Sequence, residues 1–243
     1  MTSPVLSASP VLSVCVPVFN ETENLEPLIR EIVAALEGRL AYEIVYANDG
    51  STDGTLAALV ALKAKYPQLR VVTQTRSGQS FAVRSAVQAA TGEWIATLDG
   101  DGQNDPADIM KLFERAQQGG VDLVGGLRLK RQDNLGKRIS TKIGNGVRQF
   151  ILRDGCRDTG CGLKVFRRAA FLDIPSFAAM HRFLPALFQM RGYKTDFVPV
   201  GHRPRERGVS KYGNLQRGLI GLVDLAGIVW LRTRSRMPNA HEA

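Results

Sequence analysis

Over the first hundred residues, short continuous apolar runs alternate with stretches in which apolar residues recur every three or four positions. Continuous runs are typical of strands buried on both faces of a sheet, and the wider spacing is typical of amphipathic helices. The pattern predicts strands at 11–19, 42–48, 69–75 and 93–99, and helices within 23–38, 55–66 and 80–90. This alternation favours an α/β fold, with a parallel sheet covered by helices on both faces.

A polar segment follows each of the four predicted strands. The carboxyl ends of parallel strands meet at one edge of a sheet, where such folds bind ligands, so we expect the four segments to form one site. Taken singly, each segment is also explained by ordinary turn or helix-capping chemistry. The segments cover residues 17–21, 49–53, 76–79 and 99–103.

The last of these segments reads DGDGQ and contains two acidic residues, Asp99 and Asp101. Side chains two positions apart on an extended chain point to the same side, so the two carboxylates need a cation or a shared proton between them. A hard divalent ion with positions left for phosphate oxygens suits such a pair. The segment is not a calcium loop of the EF-hand type, because Asn104 and Met110 occupy the positions that require Gly and Glu. A plain Asp-Gly turn is the alternative.

The charge of the chain is concentrated in its second half. Residues 1–120 carry 9 Lys and Arg against 14 Asp and Glu, a net charge of −5, whereas residues 121–243 carry +14. This asymmetry favours an anionic partner, although a solvated basic surface would look the same. The chain has no helix-turn-helix, zinc-finger or RNA-binding signature, so we expect no nucleic-acid partner.

The sequence indicates a cytoplasmic protein. It lacks a positive region followed by an apolar run at its start, and no apolar run reaches the roughly 18–20 residues of a membrane span. The three cysteines, Cys15, Cys156 and Cys161, follow neither a metal-binding nor a disulfide pattern, so free thiols are expected.

Four sequence blocks carry a resemblance to a known family. They are VPVFNE at 16–21, NDGSTDGT at 48–55, the segment 77–106, and RERGVSKYG at 205–213. Together they resemble the family 2 glycosyltransferases, in particular the polyprenyl-phosphate sugar synthases typified by dolichyl-phosphate mannose synthase. The Asp-x-Asp segment alone also resembles the haloacid dehalogenase phosphatases, but Gln103 stands where that signature has Thr.

The glycosyltransferase resemblance implies a single Rossmann-like, nucleotide-sugar-binding domain of the glycosyltransferase A type, with a mixed, mostly parallel sheet. The catalytic domain would cover 11–214, with a nucleotide and metal half at 11–120 and an acceptor half with a basic loop at 121–214. Residues 1–10 are expected to be disordered, and 237–243 to form a tail.

The resemblance also implies roles for individual residues. The metal ligands would be Asp99, Asp101 and Gln103, and Asp101, Arg205 and Lys211 would be catalytic. Arg205, Ser210 and Lys211 match a loop that closes on the donor diphosphate. The nucleotide contacts would be Pro17, Val18, Phe19, Glu21, Asp49, Gly78, Gln79, Asp99 and Gly100, with Asp49 reading the base.

The acceptor side is implied in the same way. Arg128, Arg138 and Ser140 resemble contacts to an acceptor phosphate. Asp158 opens the segment DTGCG, which matches the family in part, and is a candidate base or sugar contact.

The implied activity is an inverting transfer of a sugar from a nucleotide-diphosphate sugar to a polyprenyl monophosphate, dolichyl or undecaprenyl. Mg²⁺ or Mn²⁺ would neutralise the leaving diphosphate. A phosphate acceptor is already mostly deprotonated and needs no general base. Two alternatives stay open: a glycosyltransferase acting on a saccharide hydroxyl in cell-wall or polysaccharide synthesis, with Asp158 as base, and a non-catalytic nucleotide-sugar-binding protein. The pattern leaves the sugar, the base and the lipid open.

The last apolar stretch is predicted to contact a membrane surface. Residues 215–236 are predicted to form an amphipathic interfacial helix, with Trp230 at the boundary and Arg232, Arg234 and Arg236 beyond it. A core or crossover helix is the alternative. We therefore expect peripheral attachment to the anionic cytoplasmic face of a membrane, and a downstream membrane-protein partner.

Overall fold

The fold is seen in a computed structural model that describes residues 10–128, 146, 148–203 and 214–235 of the 243-residue chain. Its strands are β1 (Leu12–Val18), β2 (Tyr42–Asp49), β3 (Leu69–Gln74), β4 (Trp94–Thr97), β5 (Leu123–Arg128), β6 (Lys164–Arg167) and β7 (Thr195–Val200). Its helices are α1 (Leu25–Leu36), α2 (Thr55–Leu62), α3 (Gln79–Ala89), α4 (Asp108–Gln117), α5 (Arg168–Asp173), α6 (Leu184–Met190) and α7 (Asn214–Arg234). A further helical segment lies at 148–152.

All seven strands belong to one sheet, in the order β3-β2-β1-β4-β6-β5-β7. The first four strands are parallel, β6 is antiparallel to both of its neighbours, and β7 is parallel to β5. Thr97 near the end of β4 pairs with Lys164 at the start of β6, so the reversed strand begins at the edge where the parallel strands end. The predicted mixed, mostly parallel sheet is confirmed.

The strands and helices predicted in the first hundred residues are all present. The helix predicted at 55–66 is shorter, because α2 ends at Leu62 and turns lead to Pro67. A residue that precedes proline is disfavoured in a helix, so Pro67 prevents the helix from continuing through Tyr66.

Apolar side chains fill both faces of the sheet. On β1, Val14 and Val16 pack into a layer with α1, α2 and α4, whereas Cys15 between them packs into a layer with α3, α5 and α6. This alternation on a fully buried strand explains the unbroken apolar run in the sequence. The polar ends of the strands are thereby held on a rigid platform.

Helix α7 closes the second apolar layer. Leu225 and Ile228 are buried against it, while Leu222, Val223 and Trp230 on the other side of the helix are exposed. In the part of the chain that the structure describes, no helix combines the length and the apolar character required to cross a membrane.

Candidate active site

The segments that follow β1 and β2 lie against each other at the carboxyl edge of the sheet. The Asn20 side chain bonds to Thr52 twice, donating to its hydroxyl at 3.1 Å and accepting from its N–H at 2.8 Å. Asn20 has a left-handed backbone, with φ of 54°, which asparagine tolerates better than most residues. The predicted convergence of these two segments is therefore present.

Phe19 is covered by a cation at this edge. The guanidinium carbon of Arg76, after β3, lies 3.2 Å from the centre of the Phe19 ring. Arg76 also donates to Asp49 at 3.2 Å. Stacking of a planar cation on an aromatic ring makes a surface suited to a nucleotide base or phosphate. Sequence reasoning placed Phe19 in a nucleotide site but assigned no role to Arg76.

Asp49 is buried and organises the turn that leads into α3. Its two carboxylate oxygens accept hydrogen bonds from Gln74 Nε2 at 2.8 Å, Ser77 N at 2.8 Å and Gly78 N at 2.9 Å, besides Arg76. Gly78 has a φ of 99°, which only glycine adopts without strain. These contacts fix the start of α3, and a role of Asp49 in reading the base stays a prediction.

Asp99 and Asp101 lie at the end of β4, on the same edge. Asp99 accepts a hydrogen bond from Gln79 Nε2 at 2.8 Å, and Asp101 accepts one from Gln103 N at 3.2 Å. Burial and repulsion by Asp101 raise the pKa of Asp99 to about 6, although Lys164 and Arg128 act in the opposite direction. A cation bound beside the two carboxylates would offset both the burial of Asp99 and its repulsion by Asp101.

This donor set fits a hard divalent cation. Asp99, Asp101 and Gln103 offer oxygen ligands, the kind that Mg²⁺ prefers, and a bound cation would lower the pKa of Asp99 again by favouring its ionised form. The described residues contain no cluster of three His, Cys, Asp or Glu side chains that could hold a metal by themselves. An ion bound here would take its remaining ligands from phosphate oxygens and water.

Close backbone packing explains two glycines of the site. A Cβ atom added at Gly100 would be 2.6 Å from Cγ1 of Val18 and 3.1 Å from the Pro17 carbonyl. A Cβ atom added at Gly162 would be 2.2 Å from Oδ2 of Asp99. The predicted nucleotide contacts Pro17, Val18 and Gly100 therefore form one tightly packed unit beside Asp99.

Arg128 and Asp158, predicted as separate site residues, bind each other. Nε and Nη2 of Arg128 donate to the two carboxylate oxygens of Asp158 at 2.6 and 2.8 Å. The side chains are only 9% and 7% exposed. Roles of Arg128 at the acceptor phosphate and of Asp158 as a base stay predictions.

Two residues beside the site were not found from the sequence. Lys164 is buried at the start of β6 and donates to the carbonyl of Cys161. A lysine opening the apolar run KVF was the available signal. His181 Nδ1 lies 2.7 Å from Ser80 Oγ, and burial together with the charges of Arg182 and Lys164 lowers its pKa to about 3. His181 is therefore neutral, and nothing in its sequence context indicated this.

Several predicted parts of the site lie outside the described residues: Arg138, Ser140, Arg205, Ser210 and Lys211. The predicted tail and nearly all of the predicted disordered N-terminus also lie outside them.

Arg203, just before the predicted diphosphate loop, is held against the segment that follows β4 and contains Asp99 and Asp101. Its N–H donates to the Gln103 carbonyl at 3.1 Å, and its guanidinium contacts Glu31 at 2.7 Å and Asp105 at 2.8 Å. Arg203 thus lies against the segment that follows Asp101.

Comparison with known proteins decides the family. The family model described as "Glycosyl transferase family 2" matches residues 13–174. The chain belongs to glycosyl transferase family 2. The predicted family and the predicted enzyme class, a glycosyltransferase, are thereby confirmed.

Relatives of this family 2 glycosyltransferase point to one group. It is 34% identical, over 94% of the chain and 69% of the relative, to the dodecaprenyl-phosphate galacturonate synthase of Rhizobium johnstonii. It is 36% identical, over 83% of the chain, to the undecaprenyl-phosphate 4-deoxy-4-formamido-L-arabinose transferase of Sodalis glossinidius, of which the match covers 62%. The resemblance to the polyprenyl-phosphate sugar synthase group is confirmed.

Solved structures support the fold of this family 2 glycosyltransferase. The glucosyl-3-phosphoglycerate synthase of Mycobacterium tuberculosis, in complex with Mn²⁺, UDP-glucose and phosphoglyceric acid, superposes with a TM-score of 0.67. The superposition covers 91% of this chain and 81% of that protein, at 19% identity. The predicted glycosyltransferase A-type fold is confirmed.

Proposed function

We propose that this glycosyltransferase moves a sugar from a nucleotide-diphosphate sugar to a polyprenyl monophosphate at a membrane surface. The observation that carries the proposal is the Asp99–Asp101 pair, whose charge calls for a divalent ion, at the edge where the polar segments converge. The relatives named above act on dodecaprenyl and undecaprenyl phosphates, and they support the acceptor class. The division into a nucleotide half and an acceptor half belongs to this proposal.

The donor would bind across the ends of β1, β2 and β4. Phe19 and Arg76 provide a stacked surface for the nucleotide, and Glu21 and Asp49 lie in the segments beside it. Mg²⁺ or Mn²⁺ held by Asp99, Asp101 and Gln103 would act as a Lewis acid on the leaving diphosphate. Asp99 and Asp101 must be ionised to do this, and Gln79 orients Asp99 by its hydrogen bond.

A phosphate acceptor fits the site better than a hydroxyl acceptor. A hydroxyl needs a general base with a pKa near the working pH. Asp158 is held by both arms of Arg128, and His181 has a pKa of about 3, so neither is suited to take a proton near neutral pH. A phosphate monoester arrives as an anion and attacks the anomeric carbon directly, with inversion.

The acceptor phosphate would be bound by Arg128, Arg138 and Ser140, and the donor diphosphate by Arg205, Ser210 and Lys211. Bidentate contacts from Arg match the geometry of a phosphate. For Arg128 to contact the acceptor, the phosphate has to replace Asp158 or share the guanidinium with it. Asp158 could then contact the sugar.

Attachment to the cytoplasmic face of a membrane is the second part of the proposal. Leu222, Val223 and Trp230 of α7 are 60%, 73% and 62% exposed. Phe150, 77% exposed, lies on the helical segment 148–152, which α7 contacts through a hydrogen bond from Arg232 to the Leu152 carbonyl. An exposed apolar face ending in arginines suits an anionic lipid surface, where the acceptor resides.

Transfer of radiolabelled sugar into an organic-extractable lipid tests this function. The full chain would be incubated with undecaprenyl phosphate, Mn²⁺ and a panel of UDP- and GDP-sugars that includes galacturonate. Label in the lipid phase that disappears with EDTA is expected. Label that appears only on added saccharides would establish the hydroxyl-acceptor alternative. Donor binding without transfer to any acceptor would indicate a nucleotide-sugar-binding protein.

A further inference from the structure

Between Asp158 and β6, Gly162 lies in close contact with the carboxylate of Asp99, one of the two carboxylates of the proposed metal site. The Cβ position of Gly162 is 2.2 Å from Oδ2, 2.4 Å from Cγ and 2.7 Å from Oδ1 of Asp99. Any side chain at Gly162 would therefore have to displace that carboxylate. Because Asp99 also accepts a hydrogen bond from Gln79 at 2.8 Å, two neighbours set its orientation.

Three of the hydrogen bonds among the described residues join carbonyl groups of this segment to neighbouring strands. Thr97 Oγ1 donates to the Gly162 carbonyl at 2.8 Å, and the Gly126 N–H donates to the Leu163 carbonyl at 3.0 Å. The third comes from the Lys164 ammonium, which donates to the Cys161 carbonyl. It is the only one of the three made by a charged group.

A buried lysine at this position is costly to retain. Lys164 is 5% exposed, and removing an ammonium group from water is unfavourable unless nearby charges or hydrogen bonds replace its hydration. Methionine would fill similar space without that cost. The presence of a charged side chain here is therefore explained best by its hydrogen bond, which fixes the Cys161 carbonyl one residue before Gly162.

We propose that Lys164 is a positioning residue of the metal centre: by holding the Cys161 carbonyl it keeps Gly162 against Asp99 and presents Asp99 to the divalent ion. The inference rests on the proposed function, because it assumes that Asp99 binds the ion. On this proposal, removing the Lys164 ammonium should weaken metal binding. If Lys164 acted only through its charge, removing it should strengthen metal binding, because one nearby cation repels another.

The proposal can be tested without a sugar or a lipid by titrating the full chain with Mn²⁺ alone. Binding is measured as the decrease of the EPR signal of free Mn²⁺. Lys164→Met should bind Mn²⁺ about tenfold more weakly, the usual effect of losing a group that supports a metal ligand, and Lys164→Arg should restore most of the affinity. Lys111→Met is the matched control, because its ammonium also donates to a backbone carbonyl, that of Pro199, but on an exposed side chain. Its affinity should equal that of the wild type.

Gly162→Ala acts on the same carboxylate from the other end and should cause a similar loss. The double variant Lys164→Met/Gly162→Ala should bind no more weakly than the worse single variant, because both changes disturb the same contact between residue 162 and Asp99. If Lys164→Met does not fold by circular dichroism, Lys164→Gln replaces it with the same expectation. Equal or tighter Mn²⁺ binding by the folded lysine variant, or additive losses, would overturn the proposal. Absence of Mn²⁺ binding by the wild type would instead contradict the metal site of the proposed function.

Discussion

The carboxylate of Asp158 accepts two hydrogen bonds from the guanidinium of Arg128, and both side chains are almost fully buried. Removing one partner leaves the other charge buried without compensation. Asp158→Ala should therefore lower the free energy of unfolding by about 3–5 kcal/mol, measured by urea denaturation.

A surface pair provides the control for that measurement. Glu26 and Lys65 form an ion pair in which both side chains are largely exposed, so Glu26→Ala should leave the free energy of unfolding nearly unchanged. Equal effects of Asp158→Ala and Glu26→Ala would mean that the buried pair does not stabilise the fold.

Sugar transfer is expected to require a divalent ion that Asp101 helps to bind. Asp101→Asn removes one charge at nearly constant volume, so the fold should be retained while lipid-linked transfer falls at least about a hundredfold, because a bound cation contributes several kcal/mol to a developing charge. The radiolabel assay and a thermal melt measure the two effects. Asp173→Asn, the same change at a residue paired with Arg191 outside the site, should transfer sugar normally. An active Asp101→Asn protein would remove the basis for the metal assignment.

His181 should make the stability depend on pH. In the folded protein its pKa is about 3, against an ordinary 6.5 in the unfolded chain, so the unfolded state binds more protons between these values. The free energy of unfolding should fall as pH falls through this interval, by up to about 1.4 kcal/mol per pH unit from this group. Asp99, whose pKa is raised in the folded protein, should increase the free energy of unfolding as the pH falls, against the effect of His181. The contribution of His181 is therefore found by comparing two proteins.

The comparison is between the wild type and His181→Gln, denatured with urea at several pH values from 4 to 7. Glutamine keeps a polar group near Ser80 but does not titrate, so the stability of the variant should decline less steeply on acidification. Parallel curves would show that His181 is protonated in the folded state as readily as in the unfolded state.

Vesicle binding should depend on the exposed face of α7. Trp230→Glu should weaken sedimentation with anionic vesicles by about tenfold at low salt, because burying a large apolar side chain in lipid contributes about 1.5–3 kcal/mol. Wild-type binding should weaken as salt rises. Val60→Glu offers a matched control, since Val60 is also exposed, at 57%, but lies on α2 against the other layer of the sheet. Loss of binding in both variants would mean that no particular face docks.

The arrangement of the site residues in 11–120 was largely predictable from the sequence, and that of the site residues after 120 was not. The convergence of Phe19, Asp49 and Asp99 follows from local spacing, because a strand followed by a helix places its last residues at one edge. The contacts of Arg128 with Asp158 and of Gly162 with Asp99 join residues 30 or more positions apart. They depend on β6 entering the sheet in reverse between β4 and β5, which no periodicity in the sequence reveals.

The reversal of β6 also has a consequence for protein engineering. At the carboxyl edge of the sheet, a parallel strand places the residues that follow it. Because β6 runs in the opposite direction, it places the residues that precede it, the connection 158–163, at this edge. That connection is anchored at both ends, by the Arg128–Asp158 pair and by Lys164, and Gly162 near its middle lies against the carboxylate of Asp99. Exchanging these six residues with those of a relative would change the surroundings of the Asp99 carboxylate while every strand stays in register, so this connection can be redesigned without rebuilding the sheet.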